Sequence, residues 1–343
     1  PVSLTSAVCK CMESCLRTVI FSHLSRNNLL SENQHGFLPG SSTETQLLEC
    51  LEAWCKSIDR NEPIDVAYLD IAKAFDTVNH DILLAKLEAN GVSGQLLIWC
   101  RNFLESRVQV VRIGQSKSDE VNIKSGVPQG GVLGPLLFLV YINDIASTSE
   151  TSTVKIFADD TKIFRSVPNI ASHESFVNDV KNAMEWADNN RLTIAKEKLI
   201  LLHIGQNNGN YELKIANNNV AVSETVRDLG ITVDSHLSFK PHINNVVNNA
   251  SKRLGLVFRI FKCRNVAFLR CMFVQYVRPL LEYCSTIWSP HTIEMINCIE
   301  GIQKRFTRRV PGMEGLSYLQ RLDRLNIETL EERRIIFDMC LLY

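Results

Sequence analysis

The sequence predicts an α+β fold, with helical segments around a small antiparallel sheet. Three observations predict it. Two apolar runs, 64–71 and 154–164, have strand character and carry acids, Asp70 near the end of one and Asp159-Asp160 within the other. The stretches 6–23, 43–58 and 242 to the end place apolar residues at helical spacing. Between the two acidic runs, Ser125 to Phe138 is a glycine-rich loop feeding an apolar helix.

Composition sets the bounds. A chain of 343 residues with 45% hydrophobic content can bury a real core, in several subdomains, and is not disordered. Formal net charge is zero, but residues 251–343 hold 15 Lys and Arg against 9 Asp and Glu. A basic C-terminal third beside an acidic body can form one wall of a polyanion channel, or merely a solvated helical face. Eleven cysteines without CxxC pairs read as reduced, mostly buried thiols of an intracellular protein. The longest apolar run, Val132 to Ile142, contains Gly134 and Pro135 and is too short to span a bilayer. No signal-peptide pattern is present, and no membrane partner is expected. A start at Pro1 and a helical pattern running to Tyr343 read as a segment of a longer protein.

In chain order, a helix over 6–23 breaks at Asn27-Asn28, and a Gly/Pro/Ser loop covers 31–42. A helix follows over 43–58, then the strand 64–71 and a turn at 73–78. Helical pattern occupies 81–104 with a break at Gly91–Gly94, and 108–113 with 120–123 read as a small hairpin around Gly114. The glycine-rich loop leads to a helix ending near Asp144. The hairpin around Asp159-Asp160, a helix over 172–190 and a strand over 199–204 come next. Residues 207–219 read as a surface turn, and 226–233 as a strand pair around Gly230. Helices then run to the end, interrupted at Pro279, Pro290 and Pro311-Gly312.

Asp at a turn can simply bond its own backbone, so the pair Asp159-Asp160 alone decides little. Asp70 changes its meaning. Carboxylates at the ends of neighbouring strands repel, and divalent cations relieve this, because Mg²⁺ takes hard oxygen ligands and is held by one or two carboxylates plus substrate phosphates. Two such ions about 4 Å apart activate one oxygen and stabilise the leaving one in phosphoryl transfer. The glycine-rich loop lets backbone approach a nucleotide.

The order Tyr68-Leu-Asp-Ile-Ala-Lys-Ala-Phe-Asp-Thr-Val78, Ser125-Gly-Val-Pro-Gln-Gly-Gly-Val-Leu-Gly-Pro135, Phe157-Ala-Asp-Asp160 resembles the reverse transcriptases of non-LTR (LINE-type) retrotransposons, the jockey-like group above all. Pro1–Ser6, Gln34-His-Gly-Phe37, Arg278–Cys284, Trp288–His291 and Glu331–Arg334 extend the resemblance over nearly the whole chain. It implies a right-hand polymerase. Fingers are expected over 1–62 and a palm over 63–240, with an interleaved fingers segment at about 80–124 and a primer-grip hairpin at about 226–240. A helical thumb and connection region is expected over 241–343. The implied reaction is RNA-directed DNA synthesis, with an RNA template, a DNA primer or target, deoxynucleoside triphosphates and two Mg²⁺ ions, Mn²⁺ able to substitute. A nicking endonuclease is expected upstream of Pro1, and nucleus and cytoplasm are the expected compartments.

The resemblance also implies roles. Asp70, Asp159 and Asp160 form the catalytic triad and hold both metals, with the Ile71 carbonyl as a further ligand. Phe75 screens the sugar 2′ position. Gln129 and Gly130 line the nucleotide and template pocket, and Lys198 lies near the triphosphate. Leu229 and Gly230 sit in the primer grip. Lys304, Arg305, Arg308 and Arg309 are candidates for phosphate contact, with a solvated face as the other reading. Asp76 reads as structural, His35 and His80 as surface or packing residues, and Lys155 and Lys162 as solvated. Trp54, Trp99, Trp186 and Trp288 read as core.

The chain departs from the family pattern at Leu38 and Ser41, where arginines would neutralise the triphosphate, and at Ala195, where an asparagine is usual. The alternative reading is therefore a catalytically weakened or inactive nucleic-acid-binding remnant of such an element. A viral-type RNA polymerase is a further rival, against which Phe75 argues.

Overall fold

The computed structural model describes residues 5–105, 107–215 and 218–342. Helix α1 (Ala7–Arg26) begins where the Ser6 side chain accepts from the Cys9 amide. Helix α2 (Thr43–Asp59) begins at a reciprocal capping box between Ser42 and Thr45. Each cap satisfies amides that a first helical turn leaves open. Strand β1 (Ile64–Leu69) follows, then α3 (Ala74–Thr77), α4 (His80–Ala89) and α5 (Gly94–Glu105). The pair expected around Gly114 is an exposed ribbon of two short ladders: β2 (Val108–Gln109) pairs with β5 (Val121–Asn122), and β3 (Arg112–Ile113) with β4 (Ser116–Lys117). Helix α6 (Gly134–Ile142) has Pro135 in its first turn, where a missing N–H costs nothing. Strands β6 (Thr153–Phe157) and β7 (Asp160–Ser166) form the acidic hairpin. Helix α7 (Ile170–Asn189), β8 (Ile200–Ile204), the ladder β9 (Lys214–Ile215) with β10 (Asn218–Asn219), and β11 (Ala221–Val222) complete this part.

The chain divides into two compact units, Pro1–Ser223 and Glu224–Tyr343. The first is organised on a five-stranded sheet of order β11-β8-β1-β7-β6, antiparallel except for β11 beside β8. Strand β1 is central and buried on both faces, which explains its nearly unbroken apolar run. Ala67, Leu69, Ile163 and Leu201 join one core with residues of α6 and α7, including Phe138, Phe176 and Val180. On the other face Phe164 meets Trp54 of α2 edge to face, centroids 5.8 Å apart. Each fully buried side chain of this size contributes about 1.5–3 kcal/mol.

One acid interrupts β1. Asp65 is completely buried, opposite His203 in the register. It accepts hydrogen bonds from His203 Nδ1 at 2.6 Å, His173 Nδ1 at 2.9 Å and Asn208 Nδ2 at 3.0 Å. Burial alone would raise the Asp65 carboxyl, but these donors hold it below its ordinary value. The His173 pKa is raised despite burial, because Asp65 faces one ring nitrogen and the Glu212 carbonyl the other.

The second unit opens with the hairpin β12 (Thr225–Asp228) and β13 (Ile231–Asp234), so the segment expected as the end of the palm groups with the helices after it. The His242 Nδ1 accepts from the Thr232 amide at 3.1 Å and ties the hairpin to α8 (Lys240–Ile260). Then come α9 (Val266–Met272), α10 (Arg278–Glu282), α11 (Ser285–Trp288), α12 (Ile293–Arg308), α13 (Tyr318–Leu325) and α14 (Leu330–Leu342). Pro279 does not interrupt as expected. A π turn, Phe273–Val277, sits between α9 and α10 and takes up the proline without breaking the helical path. Phe273 stacks on Phe306 at 4.2 Å in the core, and Glu300 accepts from the Leu330 amide at the head of α14.

Trp54 and Trp288 are core residues, while Trp99 and Trp186 pack at the edge of the first core. Lys155 and Lys162 are not solvated. Lys155 pairs with Glu49 in a largely shielded position, and Lys162 is 3% exposed, because both lie within paired strands rather than beyond them. Among the described residues no helix is long and apolar enough to cross a membrane.

Candidate active site

The acidic turn is a two-residue connection. Phe157 pairs with Asp160, leaving Ala158 and Asp159 at the corner, and Ala158 takes a left-handed backbone with φ 56°. Asp160 is exposed as the first residue of β7, whereas Asp159 is half-buried. Leu69 of β1 lies opposite Thr161, so Asp70 emerges beside the turn. Burial and the Asp70 charge raise the Asp159 carboxyl above the ordinary carboxylate range, against a backbone hydrogen bond that lowers it. The sheet therefore sets two carboxylates where they repel.

What lies around Asp70 is also ordered. Ala195 N–H donates to the Asp70 carbonyl and Ala72 N–H to the Thr193 carbonyl, forming an isolated bridge between Ile71 and Ile194. That pattern leaves the Ile71 carbonyl outside the ladder. Lys198 Nζ reaches Asp70 Oδ2 at 2.9 Å, with most of the lysine in solvent, and this contact raises the lysine pKa. Lys198 closes a short 3-10 turn, Lys196–Lys198, whose N-cap is Ala195 and lacks a side-chain acceptor.

The glycine-rich loop is fastened at several points. Gly126 has φ 88°, and a Cβ there would lie 2.8 Å from the Asp76 carbonyl oxygen, so only glycine fits. Its amide donates to Val78 O, the Val127 amide to Phe75 O, and its carbonyl faces His80 Nε2 at 2.9 Å and Arg107 Nη2 at 2.6 Å. His80 is thus a packing residue that holds the loop. Gln129 Nε2 donates to Asp76 Oδ1 at 3.2 Å, while Gly130 is exposed with φ 91°. Phe75 stacks on Phe138 at 4.3 Å and meets Phe37 edge to face at 6.2 Å, so its ring is fixed from two sides.

Two anchors escape a reading of the sequence. Glu13 of α1, 0% exposed, accepts from the amides of Val132 and Leu133 at 2.6 and 3.0 Å and holds the far end of the glycine-rich loop. Gln34 accepts from the Ala158 amide at the acidic turn. Both lie more than a hundred residues from what they hold, and nothing local marks them.

The remaining predicted residues lie in the second unit. Leu229 (φ 46°) and Gly230 (φ 90°) form the two-residue corner of β12–β13, and Tyr283 Oη donates to the Leu229 carbonyl at 2.9 Å. Arg305, Arg308 and Arg309 are exposed and make no ion pair among the described residues. Arg309 lies over Phe258 at 5.4 Å, with Arg264 over the same ring at 5.8 Å. Lys304 is half-buried over Tyr318.

Among the described residues no three His, Cys, Asp or Glu side chains already surround a point that would hold a metal. The donors near the turn are oxygens only, a set suited to a hard cation that completes its shell with phosphate and water.

The family model described as reverse transcriptase (RNA-dependent DNA polymerase) matches residues 1–233. A probable RNA-directed DNA polymerase from transposon X-element of Drosophila melanogaster is 27% identical over 330 residues, covering 92% of this chain and 36% of that protein. The RNA-directed DNA polymerase from mobile element jockey of the same organism is 26% identical over 324 residues, covering 91% and 35%. This chain thus spans about a third of the length of these relatives. Among solved structures, a telomerase from Candida albicans in complex with a fragment of telomeric RNA is similar, at 12% identity and TM-score 0.50, covering 92% of this chain and 57% of that one. A telomerase from Candida tropicalis matches at 13% identity and the same TM-score, covering 92% and 48%. The α+β architecture is that of the right-hand polymerases, and the chain belongs to the reverse transcriptase family, in its non-LTR, LINE-type branch.

Proposed function

We propose that this chain carries the RNA-directed DNA polymerase activity of a non-LTR retrotransposon, adding deoxynucleotides to a primer 3′-OH on an RNA template. The observation that carries the reading is Asp70 beside the Asp159-Asp160 turn on adjacent central strands, inside the region matched by the family model. Asp70, Asp159, Asp160 and the Ile71 carbonyl would hold Mg²⁺, or Mn²⁺ in its place. The ions, when bound, supply the charge that activates the 3′-OH and favours pyrophosphate departure.

The chain's own residues do the rest. In the absence of nucleotide, Lys198 offsets the Asp70 charge. Were a bound cation to offset Asp70 instead, Lys198 would be free to meet the triphosphate. Phe75, braced by Phe138, closes the space a 2′-hydroxyl needs. Gln129 and Gly130 stand at the pocket wall, Leu229 and Gly230 at the primer, and the basic residues Lys304, Arg305, Arg308 and Arg309 at nucleic-acid phosphates.

A second reading, a weakened or inactive remnant, has its own support. The loop 37–42 offers no cation, Leu38 being half-buried and Ser41 donating its amide to the Leu38 carbonyl. One experiment separates the two. A DNA primer annealed to poly(rA) is incubated with the protein, dTTP and Mg²⁺ or Mn²⁺, with Asp159→Asn as control. Extension by the parent and none by the variant supports the polymerase. No extension, together with retained binding of the duplex, supports the remnant, and faster use of ribonucleotides overturns the role of Phe75.

A further inference from the structure

Ala158 holds a left-handed backbone, which a residue with a Cβ adopts reluctantly and keeps only when its surroundings impose it. The two-residue connection calls for such a backbone at its first position, and the loop before α2 braces it. Asn33 O accepts from the Ile156 amide, and the His35 amide donates to Ile156 O, both at 2.9 Å, so residues 33–35 run as a short parallel strap along the outer edge of β6. The strap delivers Gln34, 3% exposed, to the corner of the acidic turn. Its Oε1 accepts from the Gly36 amide at 2.6 Å and from the Ala158 amide at 3.1 Å. The fit leaves no slack, since a Cβ on Gly36 would lie 2.4 Å from the Ala158 nitrogen.

We propose that Gln34 is a positioning residue for polymerisation. By bonding the Ala158 amide it fixes the corner of the turn, and so the place of the Asp159 carboxylate relative to Asp70, without touching substrate or metal. The inference rests on the polymerase reading above. It also gives the strap a reason to be buried: the N-terminal region supplies an acceptor for this amide, beyond the reach of the β6–β7 ladder, which ends at the Phe157–Asp160 pair.

Two measurements test it. The first is amide exchange on the unmodified chain and on Gln34→Met and Gln34→Glu. Methionine fills nearly the same volume without an acceptor, and glutamate keeps one. The Ala158 amide is protected in the parent, loses protection by about tenfold or more in Gln34→Met as local opening becomes easier, and regains it in Gln34→Glu. The second is steady-state primer extension. Misplacing the turn lowers kcat by about 10- to 100-fold, with KM for the nucleotide within about threefold, and raises the Mg²⁺ concentration needed for half activity. An Ala158 amide that exchanges freely in the parent overturns the proposal, as does a Gln34→Met protein with parental kcat or with a change in KM alone. The exchange arm reads the contact itself. If the parent extends no primer, the polymerase reading fails while the exchange result still decides whether Gln34 holds the turn.

Discussion

The Lys198 ammonium lies 2.9 Å from the Asp70 carboxylate at the end of the central strand, in the place where a cation would offset the same charge. A lysine and a metal cannot both saturate one carboxylate oxygen. Lys198→Met therefore lowers the Mg²⁺ concentration needed for half activity. It also raises KM for the nucleotide about tenfold or more, the effect of one lost charge-assisted contact. Mg²⁺ and dNTP titrations of primer extension measure both. A variant whose Mg²⁺ requirement rises would show that the lysine does not compete.

Glu13 seals the head of α6 from a distance. Removing it in Glu13→Ala leaves the amides of Val132 and Leu133 without an acceptor. The cost is about 1–3 kcal/mol for each buried donor, read as a fall in the denaturant midpoint. Glu13→Gln, which keeps an acceptor oxygen, loses less. Equal losses in the two variants would mean that the carboxylate charge, not the acceptor, matters.

The two units carry different buried titrating groups. The His173 pKa is raised by Asp65, so its contribution to stability is complete below the unfolded-state value of about 6.5 and is lost as pH rises through the folded value. Asp65, lowered by its donors, contributes above about 3.9 and loses that contribution as pH falls through its own folded value. His242 is the reverse of His173. Burial and Arg227 push it down to about 4, so the second unit weakens as pH falls from about 6.5 toward that value. Melts at pH 5 are expected to resolve two transitions, the lower one moving up in His242→Gln. A single transition insensitive to that substitution would contradict the assignment.

The loop 37–42 holds no cation. Leu38→Arg with Ser41→Arg, and separately Ala195→Asn to cap the turn that carries Lys198, are expected to lower KM for the nucleotide. Each arginine that reaches the triphosphate is worth about tenfold. Single-nucleotide addition at varied dTTP measures it, and an unchanged KM in all variants would place the weakness elsewhere.

Phe75 is fixed between Phe37 and Phe138. Phe75→Val opens the space beside the sugar and raises the ribonucleotide to deoxynucleotide ratio of kcat/KM about tenfold or more, the scale set by one unfavourable contact in a fitted pocket. Parallel extensions with UTP and dTTP give the ratio, and no change would deny the ring its role.

Much of the framework was legible in the chain. The run Ile64–Leu69 is apolar because β1 is covered on both faces, and helical periodicity located α1, α2 and α7 within a few residues. Asp70 and the Asp159-Asp160 turn stood out only in combination with each other and the glycine-rich loop, because an acid at a turn has a structural use of its own. What stayed hidden was long-range. Gln34 looks like any polar loop residue until Ala158 is seen beside it, and Glu13 looks like a solvated helical acid until the glycine-rich loop covers it. Lys162 misleads for the same reason, since a lysine in a hairpin reads as exposed unless the packing around the strand is known. The π turn before Pro279 has no signature in residue type, so a proline there reads as a stop.

The strand order has a consequence for how the protein is made. Both neighbours of β1 come late: Ile64 pairs with Ser166 on one side and Ile204 on the other. At ~5–20 residues per second on the ribosome, about 7–30 s separate the synthesis of Ile64 from that of Ile204. Both edges of β1 are bare until Ser166 is made, and the edge that β8 covers stays open to pairing with any other extended chain for the whole interval. A product that stops before β8 never closes that second edge. Shortening this sequence from its C-terminal side past that point yields not a smaller polymerase but a nascent chain for chaperones and proteases to clear.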